Sequence, residues 1–203
     1  MAGPRLGADK KGARRRGACI ALIDESGLLL GPLRRRTWAP RGQTPVLLQR
    51  SRHRDKVSVA AALWLTPERD RLGLSFQTLV KGYYNNERVA AFLEGLLDEL
   101  AAPVVAIWDG GNMHRGDPIA ELLRRSGGRL RVERLPPYGA ELMPLEWAWG
   151  WLKNSRMCNF APHNAVELNE RAVAELTALS ENQGLLGSFF HASLLPPPRT
   201  LLS

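Results

Sequence analysis

Val104-Val105-Ala106-Ile107-Trp108 is an unbroken apolar run, preceded by Pro103 and followed by Asp109. Such a run reads as a strand buried on both faces, which is the mark of parallel pairing. Parallel strands need long crossover connections, usually helices. The flanking sequence supplies them. Upstream, Val89, Phe92, Leu93, Leu96, Leu97 and Leu100 recur at helical spacing behind Asn85 and Asn86, either of which can cap the helix. Downstream, Asp117-Pro118 opens a second helix through Ile119, Leu122 and Leu123 to Gly127.

The remaining pattern extends this core. Ala18 to Ile23 suits a short buried strand ending at Asp24, with Gly27 turning the chain into a further strand from Leu28 to Leu30. Pro32, Pro40, Gly42 and Pro45 break the next stretch into loops. Val57–Leu65 and Leu72–Val80 read as strands, so the chain is expected to open with three antiparallel strands. Leu130–Leu135 is a further strand stopped by Pro136-Pro137. A helix follows from about Glu141 or Leu145 through Lys153, and Val166–Leu179 forms an amphipathic tail helix. The expected class is α/β, a mixed five-stranded sheet flanked by helices, with a helical C-terminal tail. The expected division is a basic, Gly-rich lead-in over 1–17, a catalytic unit over 18–155 and a helical extension over 156–203.

Three carboxylates stand beside these core segments: Asp24, Asp109 and Glu146. Burying a charge without a partner is costly, so three such placements suggest one site that collects negative charge for a divalent cation. Two-metal phosphodiester cleavage needs such carboxylates, with coordination positions left for water and phosphate. Between Asp109 and Glu146 lie 36 residues, enough for a helix, a strand and a turn. Each residue alone has a plainer reading: a strand-end turn for Asp24, a loop cap for Asp109, an ordinary helix-face Glu for Glu146. His114 is an auxiliary candidate, for touching a scissile phosphate or holding Asp109, against the alternative of a locally bonded loop histidine.

The net charge of +8 points to a polyanionic partner, most simply nucleic acid. Arg34, Arg35, Arg36, Arg41, Arg50, Arg52, His53, Arg54 and Lys56 form a basic stretch around Trp38, suited to phosphate contact without base reading. Lys153 is a further candidate for phosphate. Cys19 and Cys158 have no metal-type spacing, which favours a reduced, intracellular protein. The longest apolar stretch, Leu100 to Trp108, is far short of the ~20 residues of a membrane-spanning helix.

The order of several motifs is distinctive. Asp24-Glu25-Ser26 is followed by Trp38-Ala39-Pro40-Arg41-Gly42-Gln43-Thr44-Pro45, then Trp108-Asp109 with His114. Leu135-Pro136-Pro137-Tyr138 comes next, then Glu141-Leu142 and Pro144-Leu145-Glu146 with Trp149 and Lys153. Over about residues 13 to 192 this resembles the catalytic domain of DDE transposases, in particular the mariner-like group of bacterial insertion sequences. The resemblance implies a ribonuclease H-like fold with Asp24, Asp109 and Glu146 as the metal-binding triad. It further implies two Mg²⁺ ions (with Mn²⁺ as a substitute), hydrolysis at transposon ends, and attack of the freed 3′ hydroxyl on target DNA. The implied partners are transposon-end and target DNA and a second copy of the chain, at a cytoplasmic, nucleoid-associated location, with no membrane.

Two departures accompany the resemblance. The family's Tyr-Ala-Pro-Glu-Leu-Asn-Pro is here Tyr138-Gly139-Ala140-Glu141-Leu142-Met143-Pro144, without the second-position Ala, the first Pro and the Asn. The helix-turn-helix modules that precede the catalytic domain in this family are expected from an upstream reading frame joined by frameshifting. The alternative is a truncated, catalytically inactive remnant that only binds DNA or a partner.

Overall fold

The computed structural model describes residues 16–31, 33–48, 55–108, 116–136, 139–193 and 195. Five strands, β1 (Cys19–Leu29), β2 (Lys56–Leu65), β3 (Leu72–Val80), β4 (Val104–Trp108) and β5 (Leu130–Arg134), form one sheet in the order β3-β2-β1-β4-β5. β1, β2 and β3 pair antiparallel, whereas β1, β4 and β5 pair parallel. Helices α1 (Asn86–Leu100) and α2 (Asp117–Arg125) lie on the routes into and out of β4, where parallel pairing needs them. Among the described residues three further α-helices follow β5: α3 (Pro144–Trp151), α4 (Ala165–Ser180) and α5 (Gln183–Ala192). The expected mixed five-stranded sheet flanked by helices is the observed one.

The central run is buried throughout, from Val104 to Trp108. Its side chains alternate between two cores. Val104, Ala106 and Trp108 join the helical faces of α1 and α2, while Val105 and Ile107 join α3, α4 and α5. β1 alternates in the same way: Cys19, Ala21 and Ile23 point to the first core, Ile20, Leu22 and Leu28 to the second. Asn85 caps α1 by accepting a hydrogen bond from the Arg88 backbone N–H at 3.0 Å, and Val89, Phe92, Leu93, Leu96 and Leu97 are buried as their spacing requires.

The N-terminal strands differ from expectation. Gly27 does not turn the chain. β1 is continuous, and its ladder with β2 runs from Ile20–Leu65 to Leu29–Lys56, with Gly27 opposite Ser58. The polar Asp24-Glu25-Ser26-Gly27 stretch imitates a turn, but pairing with the buried, Ala-rich β2 overrides that local preference. Asp24 therefore lies within β1 rather than at its end. The parallel register with β4 is shorter, from Cys19–Val104 to Leu22–Ile107. Asp24 thus stands just beyond the stretch that β4 covers.

The tail continues past α4 into α5, a helix that the periodicity did not reveal. Gly184 and Gly187 lower its intrinsic propensity, and each costs about 1 kcal/mol relative to Ala. Burial of Leu186, Phe189 and Phe190 outweighs that, at about 1.5–3 kcal/mol per side chain. The Trp151 and Phe189 rings meet with centroids 6.2 Å apart. Cys19 and Cys158 are both free thiols. No helix among the described residues is long and apolar enough to cross a membrane.

Candidate active site

Strand alternation gives Asp24 and Ser26 the same face of β1 as Ile20, Leu22 and Leu28, the face covered by α3. Pro144 occupies the first turn of α3, where its fixed φ suits a helix start and its missing N–H costs nothing. Leu145, Ala148, Trp149 and Leu152 are buried at helical spacing and seat α3 on the sheet. Glu146, one position off that stripe, is exposed in the first turn. A π-helical turn, Leu152–Arg156, extends the helix.

Two hydrogen bonds tie this helix to β1. Trp149 Nε1 donates to Asp24 Oδ2 at 2.8 Å, and Lys153 Nζ donates to Ser26 Oγ at 2.7 Å. Asp24 is only partly exposed, and its carboxyl is pushed up from 3.8 to about 7. Burial is the main cause. The Trp149 hydrogen bond opposes it by favouring the ion, and the negative charges of Glu146 and Glu25 add to the rise. Asp24 and Glu146, remote in sequence, therefore share one electrostatic environment.

Such a pair suits a hard divalent cation. Carboxylate oxygens are its preferred donors, and a positive ion between them relieves both the desolvation and the mutual repulsion that favour the neutral acid. Among the described residues no three His, Cys, Asp or Glu side chains gather. Asp109 and His114 lie outside the described residues. In sequence, Asp109 directly follows the last residue of β4.

The basic candidates are spread differently. Arg35 is fastened: its backbone N–H and C=O bond to the Asn159 side chain, each at 2.9 Å, and its Nη2 donates to Asn154 Oδ1 at 2.7 Å. Arg34, Arg36 and Arg41 are exposed in the same extended segment, where the Trp38 side chain is 100% exposed. Lys56 sets its ammonium 3.5 Å from the Tyr83 ring centroid. Lys153 is bonded to Ser26, which is two residues from Asp24 on the same strand. Arg52 and Arg54 lie outside the described residues.

The sequence reading missed Trp149 and Ser26 as parts of this site. A signal was present. Glu146, Trp149 and Lys153 fall at i, i+3 and i+7 and share one side of a helix. Of the three neighbouring tryptophans, Trp149 is buried, Trp151 packs on α5, and Trp147 is 51% exposed.

A sequence profile of the DDE superfamily endonucleases matches residues 20–167. No curated protein sequence matches the chain. Among solved structures, the Mos1 mariner paired end complex with Mn superposes with a TM-score of 0.62 at 15% identity, over 92% of this chain and 54% of that one. The isolated catalytic domain of Mos1 mariner transposase gives 0.52 at 12% identity, over 94% and 89%. A simian T-cell lymphotropic virus intasome chain gives 0.52 at 13% identity, over 88% and 56%. The chain spans little more than half the length of the full Mos1 chains it matches. At these identities the likeness is one of fold, the ribonuclease H-like fold of transposase catalytic domains. With the profile covering most of its length, the chain belongs to the DDE superfamily endonucleases.

Proposed function

We propose that the chain is the catalytic domain of a mariner-like DDE transposase, one that cuts DNA at the ends of a bacterial insertion sequence and joins them to a target. The observation that supports this reading best is the electrostatic coupling of Asp24 on β1 to Glu146 on α3, with Asp109 next in sequence after β4. β1 and β4 pair Leu22 with Ile107, and Asp24 and Asp109 each follow their member of that pair by two residues. Asp24, Asp109 and Glu146 would together hold two Mg²⁺ ions, with Mn²⁺ as a substitute, and the bound metal would supply activation of the attacking oxygen and charge stabilisation of the leaving one.

The protein's own groups position and exclude. Trp149 and the apolar face of α3 close one side of Asp24, while Glu146 stays open to substrate. Lys153 has donors to spare beyond Ser26 and meets a DNA phosphate next to the carboxylates. Arg34, Arg36 and Arg41, with Arg52, Arg54 and Lys56 further along, hold the duplex flanking the cut, and Arg35 anchors their segment. His114 assists at the scissile phosphate. The matched Mos1 structures include a paired-end complex with the left transposon end and a strand transfer complex. By analogy the active species here is a homodimer holding two DNA ends, completed by helix-turn-helix modules and acting in the cytoplasm on the nucleoid.

The test is nicking of supercoiled plasmid and of flanked oligonucleotide duplexes, with Mg²⁺ or with EDTA. The wild type is expected to nick only with metal, and Asp24→Asn, Asp109→Asn and Glu146→Gln each to abolish nicking while keeping salt-sensitive DNA binding. Nicking that survives EDTA or any of the three substitutions would overturn the assignment.

A further inference from the structure

Trp149 carries out no step of the chemistry just described, yet it is hydrogen-bonded directly to Asp24. Its indole is 3% exposed and its only polar atom, Nε1, donates to Asp24 Oδ2 at 2.8 Å. Four residues on, Lys153 Nζ donates to Ser26 Oγ at 2.7 Å. The two bonds match in spacing. Side chains on one face of a strand repeat every ~6.8 Å, and four helical residues advance ~6 Å. Two successive teeth on β1 therefore meet two successive teeth on α3 and its extension, which locks the helix lengthwise against the strand. Glu146 lies one turn before Trp149, so the same lock fixes Glu146 relative to Asp24.

The choice of donor matters as well. An indole N–H donates only and carries no charge. It takes up one acceptor direction on Oδ2 and sets the plane of the carboxylate, without neutralising it as a buried Lys or Arg would. The Asp24 charge stays available to a cation. A phenyl ring in the same slot would leave Oδ2 without this partner and the carboxylate free to swing.

We infer that Trp149 is a positioning residue of the metal site: its indole N–H orients the Asp24 carboxylate and, through α3, sets Glu146 against it. The inference rests on the reading that Asp24 and Glu146 bind the divalent ion.

The experiment uses the full chain and measures Mn²⁺ affinity by electron paramagnetic resonance. The proteins are the wild type, Asp24→Asn, Trp149→Phe, and a variant carrying 3-benzothienylalanine at position 149. That residue replaces the indole N–H by sulfur with little change of shape, so it isolates the hydrogen bond even where the Phe variant folds poorly. In parallel, the ¹⁵N–¹H indole signal absent from Trp149→Phe is followed in the wild type and in Asp24→Asn as Mg²⁺ is added. Asp24→Asn is expected to lose the site, and the benzothienyl variant to bind Mn²⁺ at least about tenfold more weakly at unchanged thermal stability in EDTA. The Trp149 indole signal should move with Mg²⁺ in the wild type and stay put in Asp24→Asn. A benzothienyl variant that binds Mn²⁺ like the wild type, while Asp24→Asn does not bind, would overturn the positioning role and leave the metal site standing. Equal Mn²⁺ binding by wild type and Asp24→Asn, with an indole signal indifferent to Mg²⁺, would instead bring down the metal reading, and the positioning role with it.

Discussion

Replacing Asp24 by Asn should stabilise the metal-free protein, and should do so only at neutral and alkaline pH. Folding raises the Asp24 carboxyl from 3.8 to about 7, chiefly through burial. A folded-state pKa above the unfolded one means that folding favours the neutral acid. The associated stability is intact below pH 4 and is lost as the pH rises through 7. At 1.36 kcal/mol per pH unit the ceiling is about 4 kcal/mol. Asp24 is partly exposed, so water relaxes some of this, and the amide of Asn must find its own partners; about 1–3 kcal/mol is the expected gain. Asn keeps an oxygen that can accept from Trp149 Nε1, so the hydrogen bond at 2.8 Å survives the change. The assay is thermal or urea unfolding of both proteins in EDTA from pH 4 to pH 8.5. The variant's Tm should exceed the wild type's by about 3–10 °C at pH 8 for a chain of this length, and the gap should close towards pH 4. Added Mg²⁺ should raise only the wild type and narrow the gap at pH 8. A variant less stable than the wild type at pH 8, or a gap that does not change with pH, would refute the argument that Asp24 is held ionised at a cost.

Two further outcomes follow from the geometry. Gly73 faces Trp64 across the β2–β3 ladder, and a Cβ on Gly73 would fall within the Trp64 ring, whose Nε1 is held at 3.0 Å by Ser75 Oγ. Gly73→Ala should therefore cost about 3 kcal/mol in urea unfolding, and much less in a Trp64→Leu background. On duplex DNA, Arg36→Ala and Arg41→Ala should each lower the slope of log affinity against log salt by about 1, measured by fluorescence anisotropy.

What was legible in the sequence divides along a physical line. Segments whose side chains all answer to one environment could be read directly. Val104–Trp108 is buried on both faces, and Val89, Phe92, Leu93, Leu96 and Leu97 form one helix stripe. Segments that change environment partway could not. β1 passes from five buried residues to three half-buried polar ones and then to Gly27, while its backbone pairing with β2 does not change at all. Local composition records the side chains, and the ladder belongs to the partner strand. α5 failed for a related reason, since its glycines speak against a helix that Phe189 and Phe190 secure by contacts made elsewhere in the fold. Within the site, the acidic residues announced themselves by being charged next to apolar runs. Trp149 did not, because a buried tryptophan looks the same in sequence whether its N–H reaches the Asp24 carboxylate or a backbone carbonyl.

The altered turn before α3 bears on whether Glu146 is held where it must be. Without the family's Asn, the N-cap of α3 is Met143, which makes no capping hydrogen bond; a lost cap costs about 1 kcal/mol. Met143 is instead buried in the core beneath the helix, and burial of such a side chain is worth about 1.5–3 kcal/mol, so the start of the helix is anchored by packing. The turn itself is closed by backbone bonds, Gly139 N–H to Pro136 C=O at 3.0 Å and Leu142 N–H to Gly139 C=O at 2.9 Å. Gly139 is suited to it, because a Cβ there would lie 2.9 Å from the Pro136 carbonyl oxygen. Glu146 N–H then bonds to Met143 C=O at 3.1 Å, which joins the buried Met directly to the first turn that carries the carboxylate. Packing of Met143 and these backbone bonds thus fix the helix start in place of a side-chain cap, and Glu146 stays near enough to Asp24 to help raise its carboxyl.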